Sequence, residues 1–526
     1  MRKNLDEGEG LSKANTEASS EAENKLARKL DSAISLGLFT LLLSSPIVLG
    51  NYARLDDYVQ LLWVMDYGKV HLIDWSLTFG RPVTFLVNSL TFETAGSISN
   101  LWVSRLVGAV SFSCSAVLMC NMVVAKSHTF LRRVVLVTLF VSLPGLWVFL
   151  SWAQGAGHGV SFLCAVFACY LTRLSCLKQA KSLCRGLLLS GSTFFFVFLA
   201  IFGYQPFGLA IPGIFLGLSA LSRFDKPFFR PFYLTSLFVV VAMVVNALVV
   251  RSYPGSPRSR FASDLQQKFE WAMSEFLPRT AWPFSLTVKH VPAMIVAGCV
   301  LVAATHALLQ LVRSGRQNTA VQLFIASIIS LSFPLLPHLL IEENWASSRA
   351  TLTPAFVFWI LALATLFRVI DRWIREFSAA QKSNQVLRKF LGLEVVTVIG
   401  LLVLCFFSLF RAHAGLVAPS IREWNQTQSV WAAIDSPIAE IRICALPFFN
   451  PGVPYVSYDE YGILTGSVSW AAPSMHRIAA REAKVDSLND PAVEFIKDVE
   501  KCRGLPWFSR PDSGNTATIN STLLWK

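Results

Sequence analysis

FYLTSLFVVVAMVVNALVV, the stretch Phe232–Val250, runs for nineteen residues without a formal charge. As a helix it is long enough to cross about 30 Å of hydrocarbon, which takes roughly 20 residues. Ten further blocks share its character. Ile34–Gly50, Leu101–Ala125, Val134–Leu150, Gly159–Leu174, Leu187–Gly203 and Phe207–Leu221 precede it. Val291–Val312, Ala320–Leu336, Leu352–Phe367 and Phe390–Phe410 follow it. The 526-residue chain is 53% hydrophobic and 15% charged, with a mean hydropathy of +0.50. A soluble domain carries about 25% charged residues, so lipid must cover this apolar surface. The reading is a polytopic α-helical membrane protein with about eleven transmembrane helices.

The first block is not a cleavable signal. A signal peptide has a short basic start and a small-residue cleavage site, whereas here a polar tail, Met1–Asp31, comes first. Its Glu, Ser, Lys and Asn content is that of a disordered segment. Loop charge sets the orientation. With the N-terminus cytoplasmic, the inner loops hold Lys126, Arg132 and Arg133, then Arg173, Lys178, Lys181 and Arg185, then Arg223, Lys226 and Arg230. Arg313 and Arg316 follow, and Arg368, Arg372, Arg375, Lys382, Arg388 and Lys389 complete the set. The opposite loops 151–158 and 204–206 hold no Lys or Arg. This is the positive-inside asymmetry. An odd number of spans then puts the C-terminal region outside. The net charge of +13 reports topology and contact with anionic headgroups, not nucleic acid.

Three parts follow: a disordered cytoplasmic tail (1–31), a transmembrane catalytic domain (32–410) and an extracytoplasmic C-terminal domain (411–526). The last is expected to be a small α+β unit. Ile438–Leu446 and Pro454–Tyr458 read as strands, Pro473–Ala483 and Pro491–Cys502 as helices. Of the ten cysteines, only Cys444 and Cys502 fall in this outer region. A disulfide between them is expected in an oxidising compartment.

The chemistry-bearing residues sit in the outer loops. Asp56-Asp57 lies just past the first block, followed by the apolar run Leu61–Met65, suited to an interfacial helix. Trp75, Gly80, Arg81 and Pro82 lead to a second such stretch, Val83–Phe92. The acidic pair reads either as a helix cap or as a carboxylate directed into a cavity. Gln154 and His158 stand among glycines in the next outer loop, where a structural hydrogen-bonding role competes with a substrate contact. The long loop 251–290 predicts an amphipathic helix around Phe261–Phe276, with Lys289 and His290 at its end. Glu342, Glu343 and Arg349 flank a further span. An Arg at such a mouth forks well to phosphate, although an acid–base pair within the loop has the same composition. Tyr458, Asp459 and Glu460 suit sugar contacts, or else the edge of a packed core.

There is no Walker loop, G-x-G-x-x-G turn, H-E-x-x-H or CxxC pair. Asp56 and Asp57 offer oxygens to a hard divalent cation, but two carboxylates alone would not hold one. No cofactor and no metal site are expected.

Asp56-Asp57 after the first span, then Trp75, then Gly80-Arg81-Pro82, resembles the start of the GT-C membrane glycosyltransferases. The Gtr-type glucosyltransferases that modify bacterial O-antigen are the nearest of these in motif. In that family a basic residue often follows the acidic pair by a few positions; here Gln60 and Leu61 stand there. The resemblance implies a bacterial inner-membrane enzyme with a cytoplasmic N-terminus and a periplasmic C-terminus. It implies transfer of a sugar, glucose in the Gtr type, from a polyprenyl-phosphate donor to a hydroxyl of a surface glycan. Asp56 or Asp57 would be the base. Arg81, Arg349, Lys289 and His290 would meet the donor phosphate. Trp75, Gln154, His158, Glu342, Glu343, Tyr458, Asp459 and Glu460 would meet substrate. Membrane lipids are the remaining partners. The rival readings are a lipid-linked sugar flippase or transporter and a surface-polysaccharide polymerase. A flippase would call for polar residues in mid-span, and Asn121, Asn246, His306 and Gln322 are the plainest ones present.

The charge bias carries a test. A reporter that works only outside the cytoplasm, fused after Lys526, is expected to be active. Activity of a cytoplasm-only reporter there would reverse the assignment.

Overall fold

The computed structural model describes residues 31–123, 129–177, 183–222, 228–253, 262–284, 289–342, 344, 346–380, 384–432, 440–444, 465, 468, 471–483, 492–496, 508–509 and 516–520. Within it the apolar blocks become helices. Nine are long and apolar enough to cross a membrane. They include α1 (Asp31–Val48), α5 (Trp102–Met122), α8 (Gly155–Leu177), α9 (Leu183–Gly203) and α12 (Phe229–Arg251). The others are α15 (His290–Arg313), α16 (Gln317–Leu340), α17 (Ser348–Ala380) and α18 (Asn384–Ala412). The pair α6 (Thr129–Ser142) and α7 (Pro144–Ser151), bent by 61°, makes a tenth. Pro144 cannot donate to the helical ladder, so the bend falls where its N–H would have been needed.

The block Phe207–Leu221 departs from its expected form. It is broken into α10 (Gln205–Leu209) and the eleven-residue α11 (Ile211–Leu221), with Pro206 and Pro212 each at a helix start. Its first end lies with Gly203, whose carbonyl accepts from Thr84 Oγ1 at 2.7 Å. Its far end lies with Ser222, whose hydroxyl donates to the Met122 carbonyl at 2.7 Å, at the foot of α5. Residues Pro206 to Leu218 are buried throughout. A lipid-facing helix must match the bilayer, whereas broken backbone is tolerated where protein surrounds it. This broken segment lies inside the bundle, where protein surrounds it.

Among the described residues the candidate spans number nine, or ten with the bent pair. One face holds Val48, Tyr52, Ser151–Gln154, Gly203–Gln205, Ser348 and, below, the acidic pair. The other holds Ser32, Met122, Arg132, Arg133, Arg173 and Ser222. Helices α5, α8 and α17 are the most buried of the nine within the protein, and α15 is the least.

Arginines close the helix ends. Arg105 donates to the carbonyls of Val48 (3.0 Å), Gly50 and Tyr52 (2.8 Å) at the end of α1. Arg133 Nε donates to Val123 O (3.3 Å) after α5, and Arg132 Nη1 to Leu221 O (2.9 Å) at the end of α11. The last carbonyls of a helix lack intrahelical donors and carry partial negative charge, so a buried guanidinium is well placed there.

Three short helices follow α1 on the acidic face: α2 (Asp56–Tyr67), α3 (Lys69–Leu77) and α4 (Pro82–Ala95). The helix expected around 261–276 is found at 265–281, as α13 (Leu265–Trp271) and α14 (Leu277–Ala281) made continuous by a π-helical turn. At the end of α18 the chain passes through a second π-helical turn, His413–Val417, into α19 (Ala418–Ala432). The C-terminal region has α20 (Ala472–Glu482) and strands β1 (Glu440–Cys444), β2 (Ala492–Ile496), β3 (Phe508–Ser509) and β4 (Thr516–Asn520). They form a sheet in the order β2-β1-β4-β3, with β1 parallel to both β2 and β4. The helix expected at Pro491–Cys502 is thus a strand over 492–496. Val493, Phe495 and Ile496 suit a pleated surface, and their partners in β1 lie some fifty residues back, out of reach of local propensity. The tail 1–30, the strand expected at 454–458, Glu343, Tyr458, Asp459, Glu460 and Cys502 lie outside the described residues.

Helix α20 docks on α2 and α19 through Met475, Ile478 and Ala479 against Tyr58, Leu61, Leu62, Trp424 and Trp431. Asp66 pairs with Arg477 (3.1 Å) and Arg481 (2.5 Å) at the rim. Trp431 Nε1–H donates to Nδ1 of His476 (3.2 Å), which makes that imidazole neutral with its proton on Nε2. Burial pushes His476 down to about 4. The unfolded chain, near 6.5, therefore binds more protons between those values, so stability rises with pH there and is lost as pH falls from 6.5 towards 4. Acidification from pH 7 to 5 is expected to weaken α20 docking by up to about 2 kcal/mol. Hydrogen exchange of 472–482 checks this, and His476→Phe should flatten the pH dependence.

Candidate active site

The acidic face is built around residues 53–57. Asp57 is fully buried, and both of its oxygens accept backbone N–H groups. Oδ2 takes Arg54 N (3.1 Å) and Ala153 N (3.0 Å), and Oδ1 takes Gln154 N (3.0 Å). It thereby ties the start of α2 to the loop between α7 and α8. Burial pushes its carboxyl up to about 6; the N–H donors of Ala153 and Gln154, then Arg105 and the Arg54 N–H, oppose that rise. Asp57 is spent on structure.

Asp56 differs. It is half-buried, one residue earlier and about 100° around the helix, and its Oδ2 lies 3.5 Å from the Gln154 amide. Gln154 also accepts from Gln60 Nε2 (2.9 Å), and Gln60 accepts from Asn88 Nδ2 (3.2 Å). Asn88 Oδ1 in turn accepts Gly157 N (3.0 Å). These amides join α2, α4 and the start of α8 beneath Asp56. Gly157 permits the approach, since a Cβ there would sit 2.4 Å from the Thr84 carbonyl oxygen.

Cations gather on the same loop. Arg54 Nη1 donates to Ser151 Oγ (3.2 Å), and its guanidinium lies 5.9 Å from the Trp152 ring centroid. Arg349, in the first turn of α17, lies 4.5 Å from the same ring. Ser347 starts that helix by accepting the Ala350 N–H (3.2 Å). The four residues 151–154 thus touch Asp56, Asp57, Arg54 and Arg349.

Arg81 stands across the amide cluster. Its Nε donates to Gln205 Oε1 (2.9 Å), and its guanidinium lies 4.6 Å from the Tyr204 ring. Tyr204 packs edge-on against His158, whose Nδ1 is 3.0 Å from Gln154 O. The Gly-Arg-Pro turn explains the placement. Gly80 has φ 65°, and a Cβ there would sit 2.8 Å from Asn246 Oδ1. Asn246 and Gln205 both donate to the Gly80 carbonyl (2.6 and 3.3 Å). Pro82 then opens α4 with its φ already helical.

Trp75 meets Trp63, Phe79 and Phe85 in an aromatic wall along α2, α3 and α4. The structure therefore assembles Asp56, Asp57, Arg81, Gln154, His158 and Arg349. Lys289, His290 and Glu342 are exposed and are not brought into this group. Sequence reading passed over Arg54, Gln60, Trp152, Tyr204 and Gln205 as contributors. Of these, Arg54 and Gln60 were signalled by standing within four residues of the acidic pair. Asn246, noted only as a polar residue in mid-span, belongs to the Gly80 turn. Among the described residues no group of three or more His, Cys, Asp or Glu is placed to hold a metal.

No family model matches this sequence, and no curated protein matches it. Among solved structures, ArnT from Cupriavidus metallidurans bound to undecaprenyl phosphate is similar over 88% of each chain. The identity is 12% and the TM-score 0.43, a likeness too low to assign an activity.

The two carboxylates are expected to separate on substitution. Asp57→Asn keeps one acceptor oxygen and sets an NH₂ against a backbone N–H, a loss of about 1–3 kcal/mol. Asp56→Asn should change stability by less than about 0.5 kcal/mol. Thermal unfolding of the two variants in the same detergent measures the difference; equal losses would contradict it.

Proposed function

We propose that this chain is a GT-C-type membrane glycosyltransferase. It moves a hexose, glucose in the closest reading, from a polyprenyl-phosphate donor to a hydroxyl of a surface glycan such as O-antigen. The observation that carries the reading is the gathering of one half-buried carboxylate and two guanidiniums on the loop 151–154. A glycosyl phosphate needs those groups: a base for the incoming hydroxyl and fixed positive charge for the departing phosphate.

Asp56 takes the proton of the acceptor hydroxyl. The resulting oxygen attacks the anomeric carbon of the donor sugar. The bond from that carbon to the phosphate oxygen breaks, and the electron pair leaves on the polyprenyl phosphate. Arg349 and Arg54 stabilise that growing charge, and the N-terminal end of α17 adds its dipole. Arg81 and the aromatic wall of Trp63 and Trp75 flank the sugar. Asp57 is occupied by three N–H donors and is not free to act as a nucleophile. The reaction is therefore a single displacement that inverts the anomeric centre. The apolar spans receive the polyprenyl tail. The positive-inside charge bias supports an orientation with this face outside the cytoplasm, where the sugar of a lipid-linked donor meets a surface glycan. Undecaprenyl phosphate, the ligand in the ArnT structure, is of the same chemical class as this donor; the proposal rests on the residues above.

Asp56→Asn is expected to lower transfer by about 10²- to 10⁴-fold at matched membrane levels. Arg349→Ala should weaken use of the donor while the protein stays in the membrane. The measurement is transfer of labelled sugar from polyprenyl-phosphate donors into glycan. Near-normal transfer by Asp56→Asn would remove it as the base.

A further inference from the structure

Leu55, directly before Asp56, is the one described non-glycine residue with positive φ, at 41° with ψ −108°. An L side chain rarely adopts this backbone, and it persists only where the surroundings over-determine it. Two of the constraints are local. Asp57 Oδ2 holds the Arg54 N–H, and the Leu55 carbonyl accepts Tyr58 N at 3.2 Å. The third comes from far along the chain. The Leu55 N–H donates to Thr465 Oγ1 at 3.2 Å, and the Thr465 N–H donates to Glu423 Oε2 at 2.9 Å. Thr465 and Glu423 are both buried, at 2% exposure.

We infer that Thr465, held by Glu423 of α19, is a positioning residue that sets the direction of the Asp56 carboxylate. The inference rests on Asp56 being the base of the transfer proposed above. The Leu55 N–H that Thr465 holds lies in the Arg54–Leu55 peptide plane, and φ at Leu55 sets the angle between that plane and the Leu55–Asp56 peptide. If Leu55 relaxed to an ordinary negative φ, the two planes would turn against each other, swing the N–H off Thr465 and carry the Asp56 side chain off its line to the acceptor. The hydroxyl of Thr465 is the acceptor that opposes this turn. Valine has the same shape without the oxygen, and serine keeps the oxygen without the methyl group. Because Thr465 touches the backbone and not the donor, its loss should appear in turnover, leaving donor binding unchanged.

The test uses the full-length protein in membranes, as wild type, Thr465→Val and Thr465→Ser. Hydrogen exchange is read on the peptide that contains Leu55, beside kcat and donor KM for sugar transfer. Thr465→Val should speed exchange at Leu55 and lower kcat by about 10²-fold, the cost of roughly 1 Å of misplacement, with KM within about twofold. Thr465→Ser should restore both. Unchanged exchange in Thr465→Val overturns the inference, as does faster exchange with unchanged kcat, or a raised KM at normal kcat. A wild type that transfers no sugar from any polyprenyl-phosphate donor overturns the proposed function instead. Exchange at Leu55 needs no substrate and still decides whether Thr465 holds the peptide.

Discussion

One buried carboxylate organises the acidic face. Asp57 gathers N–H groups from two segments about a hundred residues apart, and each such bond to a charged acceptor is worth about 1.5–3 kcal/mol. Those bonds offset the cost of burying the charge, and they also set the register between α2 and the loop that precedes α8. Trp152 comes to rest beside Arg54 because of it, and Gln154 comes to rest beside Asp56. The residue that holds the site together is thus the neighbour of the residue that we place at the chemistry.

The bundle uses charge economically. Buried arginines would be costly in a membrane protein, yet Arg105, Arg132 and Arg133 are at most 2% exposed. Each meets helix-terminal carbonyls that would otherwise lack donors. On the face rich in Lys and Arg, residues that set orientation also finish helices. The α10–α11 segment depends on this. A broken helix of that length has more open carbonyls than a straight span, and Arg132 closes one of them.

Much of this architecture was legible in the sequence. Blocks such as Phe232–Val250 became helices with ends shifted by a few residues, because hydropathy over twenty residues is a strong signal. Phe207–Leu221, taken as a single span, is instead broken, with Pro206 and Pro212 at the two helix starts. Asp56-Asp57 and the Gly80-Arg81-Pro82 turn, singled out together in the sequence, are linked in the structure through Gln154, His158 and Tyr204. What could not be read was the division of labour. Two adjacent aspartates look alike in a sequence, and only the N–H groups of Ala153 and Gln154 tell them apart. Lys289 and His290 looked equivalent to Arg349 because all three begin spans, but only Arg349 begins one that packs against Trp152. The strand at 492–496 was misread as a helix because its parallel partner is remote.

The contact between Leu55 and Thr465 joins residues 410 positions apart. Synthesis and membrane insertion run from the N-terminus, so Asp56 reaches its face of the bilayer after a single span has entered. Thr465, the partner of the neighbouring Leu55, is made only after the long helices that lie between them in the chain. A nascent chain therefore inserts the segment that carries Asp56 well before the residue that holds its neighbouring peptide exists.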